Sequence, residues 1–513
     1  MMKKKSSRWL IAGTIIYMVM IVLPVLGALE SKAGVSRDIL SYRRIALLWN
    51  SVKLGGLTAI IACVIGTFAA LFIRNSSLRD KWYRYFFVML LPVPYYLYAL
   101  SWMYLIRFLA GWNGDLLKYS MQGFGACLFV EVMTYIPLAM LFALIGLESI
   151  NESNVEMAVI YKESNAVIKS VILKAITPYL IAAAGCILVL SVTDFSVPSM
   201  FQYNTYTLEI FSTYSRTGSV GQVYIMAIPL FAVLFVPFLW LISGIRKVGM
   251  PQIGQKQCRI RLHGGMKVLS VFSFVLVLLQ IAIPLVMYSI HVESFANLWK
   301  SFLMIKNELL LSTGIAVISA IIAVTVVLLP AQWLTERKSV GWWILLLFSM
   351  IIPGAIHAIG LLFCINGSPV SFISRTILLP ALGCAIKFAP ILLLWCTVVY
   401  KRMDKKRLEL AMVLANKSSD ILKIKYRMLL TGLLCVMALA FFMAIGEEGV
   451  MLVLMAPGKE AASVKIYNYL HYGASEYVSG FCLIITLFIF VLELIMLAGY
   501  RLLCYKKRKG RLL

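Results

Sequence analysis

Apolar stretches of about 20 residues alternate with short polar segments along the whole chain. About 20 residues at 1.5 Å each cross a hydrocarbon core as one helix. Twelve such helices are predicted, at 9–29, 52–73, 86–108, 124–147, 179–200 and 222–245, then 266–289, 308–331, 341–363, 376–399, 429–450 and 478–500. Near 246–265 the apolar pattern gives way to basic residues with Gly, Pro and Gln, which predicts a cytoplasmic linker. The longest polar loops, about 148–178 and 400–428, place Val155, Ala158 and Val159, and Leu408, Ala411, Met412 and Ala415, at helical spacing. Each loop therefore predicts a short surface helix with an exposed polar side.

The order of marks in the first six spans recurs in the second six. Pro137, Glu156, Ala158 and Asp194 are followed 253 residues later by Pro390, Glu409, Ala411 and Glu447. The fold class that follows is an all-α membrane protein of two repeated six-helix halves related by a pseudo-twofold axis. Repeats of this kind are a recurring plan for transporters, with the pathway at the interface between halves. The segments expected are 1–50 for the first span and outer loop, 51–245 for a first transmembrane domain, and 246–265 for the linker. They continue with 266–306 for the seventh span and outer loop, 307–500 for a second transmembrane domain, and 501–513 for a basic tail.

Composition supports the membrane assignment: 61% of the 513 residues are hydrophobic, 14% are charged and mean hydropathy is +0.90. The net charge of +26 is not the footprint of a nucleic-acid binder, because lysine and arginine sit in runs between the spans. Those runs concentrate in alternate segments, which places both termini in the cytoplasm. Lys3, Lys4, Lys5 and Arg8 precede an apolar run with no small-residue cleavage site, so the first helix is expected to be retained. The basic tail can also touch anionic membrane lipid. Ten scattered cysteines and four distant histidines predict no disulfide framework, metal site or cofactor. No phosphate-binding loop is present, since Gly458-Lys459 continues into Glu460, and no nucleophile–base pairing marks a catalytic residue.

The two loops, Glu156-Met157-Ala158 and Glu409-Leu410-Ala411, resemble the Glu-Ala-Ala loop of permeases of binding-protein-dependent ABC importers of the type I fold. Lys162 and Ala415 stand where that family places a Gly, and no Leu-Pro follows. Gly446 to Gly473, with its Ser-Val-x-Ile-Tyr-Asn run and His-Tyr-Gly, is similar to the end of the ferric iron and thiamine permeases, which are often fused and double-length. Thr193-Asp194-Phe195-Ser196-Val197-Pro198 is similar to the Asp-Phe-Gly-Val-Pro of the same group, with Ser196 replacing Gly. The resemblance implies a permease of the bacterial plasma membrane that imports a small solute, ferric iron or a related cargo. It implies two cytoplasmic ATP-binding subunits that supply hydrolysis, and an extracytoplasmic solute-binding protein.

On that resemblance Glu156, Ala158, Glu409 and Ala411 belong to the loops that dock the ATPases. Asp194, Glu447 and Glu448, near span ends, are candidates for a gate or the lining of the pathway, against the plainer reading that they reach interfacial water. Pro137 and Pro390 each remove a backbone donor and are expected to kink the span before its docking loop. Glu131 and Lys387 lie inside spans and need partners. Because Lys387 aligns with Thr134, an ion pair across the pseudo-twofold and separate water-facing positions both stay open. The alternative from another class is an ion-gradient-driven secondary transporter, which leaves the paired loops unexplained.

Overall fold

All secondary structure among the described residues is helical. The structure, a computed structural model, describes residues 2–30, 41–76, 93–113, 122–247, 262–337, 339–401, 403, 408–410, 413, 418–471 and 477–509. The helices are α1 (Met2–Glu30), α2 (Tyr42–Asn75), α3 (Tyr95–Asn113), α4 (Phe124–Glu148) and α5 (Glu152–Tyr161). Next come α6 (Ser164–Thr193), α7 (Ser196–Met200), α8 (Tyr206–Thr217), α9 (Val220–Lys247), α10 (Gly264–Val292) and α11 (Phe295–Glu336). The remainder are α12 (Val340–Ile351), α13 (Gly354–Asn366), α14 (Leu378–Lys401), α15 (Ser418–Ile445), α16 (Gly449–Leu454), α17 (Ala462–His471) and α18 (Val478–Lys509).

Ten described helices are long and apolar enough to cross a membrane, or eleven if α12 and α13 count as one bent span. The expected ninth span, 341–363, is that pair, bent by 91° where Pro353 interrupts the helix. The expected third span began at 86, but residues 77–92 lie outside the described residues and the helix that remains is α3. The expected fifth span is displaced: α6 starts at Ser164, loosens into one π-helical turn at Ile168–Ile172, and stops before Asp194. Pro137 and Pro390 sit inside α4 and α14, which continue as helices past them.

The chain forms two compact units. The first comprises Ala33–Met304 and Tyr472–Leu487. Its centre is α2 packed on α4 and α6, with α9 against α6 and α10 against α2 and α3. A stripe of small residues on α2, Ser51, Gly55, Thr58, Ala59, Ala62 and Gly66, is buried and lets the neighbouring backbones approach. The α6–α9 seam is closer still. A Cβ on Gly185 would lie 2.5 Å from the Pro237 carbonyl oxygen, and one on Gly244 would lie 2.5 Å from that of Pro178.

The second unit comprises Met1–Lys32, Ile305–His471 and Phe488–Leu513. Helix α1 packs on α13 within it, and Tyr17 Oη donates to the Leu346 carbonyl at 2.7 Å. Helix α1 thus groups with helices late in the chain, and α10 with helices α2–α9. A parallel detail marks the short amphipathic helices. In the first unit the Tyr206 N–H donates to Ser51 Oγ at 2.8 Å, and Glu209 pairs with Arg43 at 3.0 Å. In the second unit the Ala462 N–H donates to Ser312 Oγ at 2.9 Å, and Lys465 pairs with Glu308 at 2.6 Å. The charged residue falls three positions after the donor in both, with its sign reversed.

Candidate docking and gating sites

Helix α5 starts because Asn151 caps it, its side chain accepting from the Ser153 N–H at 3.1 Å. Glu152, the acid of its first turn, and Val155 are its buried residues. The exposed side presents Glu156 with Met157, Ile160 and Tyr161, and Ile160 and Tyr161 are 77% and 84% exposed. Ala158 is half-buried, and its carbonyl accepts from the Lys162 N–H at 2.9 Å where the helix ends. Lys162 has φ −136°, extended backbone that any residue adopts, so a lysine costs nothing where the family pattern places Gly. In the second loop residues 408–410 are helical, with Glu409 and Leu410 exposed. Ala411 lies outside the described residues.

Asp194 and Glu447 do the same work at corresponding places. Asp194 ends α6 in extended backbone, and its carboxylate accepts from the Ser196 and Val197 N–H groups at 3.3 and 3.1 Å, capping α7. Glu447, two residues beyond α15, accepts from the Val450 N–H of α16 at 3.0 Å. Its carbonyl accepts from Ser463 Oγ at 2.9 Å. Each acid therefore satisfies orphan donors at the start of the short helix that follows its span. Glu448 is buried beside Glu447.

Lys387 and Glu131 find partners inside their own units rather than each other. Lys387 Nζ contacts Glu447 Oε2 at 2.5 Å, with the lysine side chain 30% exposed and the glutamate 7%. The same ammonium lies over the start of α13, where a Cβ on Gly354 would come within 2.8 Å of Nζ. His357 Nε2 lies 3.0 Å from the Ser349 carbonyl oxygen, on the other side of the bend. Glu131 is buried between α2, α4 and α6, its Oε2 accepting from Thr58 Oγ1 at 3.1 Å and from Ser191 Oγ. Ionised carboxylates are costly at this depth, and two hydroxyl donors from neighbouring helices lower that cost.

Sequence reasoning passed over Arg74, Glu152, His357 and Glu493. Arg74 Nη2 reaches both carboxylate oxygens of Glu152 at 3.1 Å, although 78 residues separate them. Glu493 is a buried acid within α18. An acid alone in a 22-residue apolar run was a visible signal for that last residue.

Residues 62–248 match the model of the family described as binding-protein-dependent transport system inner membrane component. The matched region runs from within α2 through α5, Asp194 and α9, so the first candidate docking helix and the first capped break both fall inside it. The many long apolar helices make the chain a multi-pass membrane protein, and the matched stretch is similar to the membrane component of binding-protein-dependent importers. No curated protein and no solved structure matches the chain.

Proposed function

We propose that this permease is a double-length translocation subunit, with two six-span halves in one polypeptide and both termini in the cytoplasm. Two cytoplasmic ATP-binding subunits dock on α5 and on the loop around Glu409, and a solute-binding protein delivers cargo at the opposite face. Nucleotide binding draws the two docking helices together and rocks the halves about the pathway. The observation that carries this reading is α5 itself. It is a capped ten-residue helix, anchored through Glu152 and Val155, that leaves Met157, Ile160 and Tyr161 uncovered beside Glu156. An exposed apolar face on a short anchored helix fits a protein cleft better than water.

Asp194 and Glu447, with Glu448, act at the gate in this reading by holding the breaks at the ends of α6 and α15. The cargo is a small solute, with ferric iron or a related complex favoured by the resemblance of 446–473 and 193–198 to iron-type permeases. Affinity purification of the full chain from its native membrane tests the whole reading. ATPase subunits should co-purify and be lost from an Ile160→Asp variant, and the ligand of the co-purified binding protein names the cargo. Solute uptake by the isolated chain without nucleotide would refute it.

A further inference from the structure

Along the chain, α5 is joined to the membrane bundle through α4 on one side and α6 on the other. The structure holds a second link. Arg74 lies at the cytoplasmic end of α2 in the proposed topology, and Glu152 lies in the first turn of α5. Their side chains are 1% and 6% exposed, and one guanidinium nitrogen contacts both carboxylate oxygens at 3.1 Å. A charge pair this deeply buried is expensive to break, because either partner left alone keeps its desolvation cost. A hydrophobic pair would hold the helices with less directional constraint. The pair therefore fixes the angle of α5 on the helix around which α4, α6 and α10 are packed.

The repeat does not preserve this contact. The residues 253 positions on from Arg74 and Glu152 are Val327 and Lys405, which cannot form it. The second unit is tied one helix later. Lys425 near the start of α15 donates to Gln332 Oε1 of α11 at 2.6 Å, and Gln332 Nε2 donates to Glu336 at 2.9 Å. Both ties end on a long helix of their unit, α2 and α11, and the first grips α5 directly.

We propose that Arg74 is a positioning residue that makes α5 and α2 one rigid body, so that the first docking loop transmits a push stiffly. The proposal rests on the docking reading above, and its test separates the two. Spin labels at exposed positions Asn154 of α5, outside the proposed docking face, and Ile60 of α2 report their separation in the full chain, in lipid nanodiscs. One narrow distance population is expected for the parent. Arg74→Met and Glu152→Gln should broaden it about twofold or more, and the exchange Arg74→Glu with Glu152→Arg should narrow it again. Unchanged widths in both single variants would overturn the proposal.

In the complex with co-purified ATPase subunits, trapping with ATP and vanadate should leave the parent separation unchanged and shift that of Arg74→Met. A parent separation that changes on trapping also overturns it. If no ATPase subunit co-purifies, the docking reading fails, while the nucleotide-free widths still decide whether Arg74 holds α5.

Discussion

The α6–α9 seam gives the most quantitative test of the first unit. Ordinary Cβ contacts begin at 3.4 Å, whereas a Cβ on Gly185 would meet Pro237 O at 2.5 Å and Leu241 N at 2.8 Å. A Cβ on Gly244 would meet Pro178 O at 2.5 Å, and Ala182 Cβ and N at 2.7 Å. These obstacles are mainly backbone, so no side-chain rotation relieves them. Gly185→Ala or Gly244→Ala must push the helices apart by about 0.9 Å locally, and a gap of that size forfeits about a quarter to a half of the contact energy along the seam. Overpacking of this kind costs about 1–3 kcal/mol.

Gly56→Ala is the internal control. Nothing lies within 4 Å of its Cβ position, and alanine in a helix interior gains up to about 1 kcal/mol over glycine. The assay is the fraction of detergent-solubilised full chain that stays monodisperse after heating. Both seam variants should lose that fraction at a lower temperature than the parent, and Gly56→Ala should match or exceed the parent. If the seam variants behave like Gly56→Ala, the close approach of α6 and α9 is wrong. The seam bears on function because α6 begins within three residues of the end of α5. On the proposed docking role of α5, a loosened α6 would absorb motion arriving from that helix.

Glu131→Gln keeps an oxygen acceptor for the Thr58 and Ser191 hydroxyls and should stay within about 1 kcal/mol of the parent in the same heating assay, whereas Glu131→Ala should lose about 2–4 kcal/mol. Equal loss from both would show that the ionised group itself is needed. Lys387→Met should destabilise the second unit by about 1–3 kcal/mol, less than the cost at a fully buried pair because the lysine is 30% exposed, and Lys387→Met with Glu447→Gln should recover most of it. Failure of the double variant to recover would deny that the two residues act as a pair. Ile160→Asp should leave the heating profile unchanged while removing co-purified ATPase, since its side chain is 77% exposed. A fall in thermal stability there would place Ile160 in the fold instead of at a docking surface.

Hydropathy located most of the spans, because burial in lipid imposes a length and an apolar content that survive any choice of neighbours. It did not find the bend at Pro353. The residues on either side of it are as apolar as those of a straight span, and a proline inside α4 or α14 produces no such break. Nor does hydropathy choose partners. That α1 packs on α13 depends on close approaches such as Gly27 against Gly360, which no periodicity encodes. The repeat spacing did single out Asp194 and Glu447. Their position said that acids end both spans, and the coordinates add that each carboxylate holds the N–H groups of the next short helix. Arg74 and Glu152 left no trace at all, because a pair joined through the fold has no spacing to read.

The same comparison bears on how alike the two halves are. At corresponding places the chain keeps the geometry and changes the charge. Glu209 and Lys465 sit three residues beyond matching backbone donors and carry opposite signs. Thr134 and Lys387 align, yet only the lysine can pair with the acid that follows its half. Glu152 grips α2, while its counterpart is Lys405. A homodimer assembled from one six-span chain must carry identical charges on both sides of its axis. In the proposed double-length chain fusion removes that constraint, and each of these reversals is a difference that two copies of one chain could not make. A double-length chain, as proposed, can therefore hold one half differently from the other, and the buried Arg74–Glu152 pair, which Val327 and Lys405 cannot form, is one such difference.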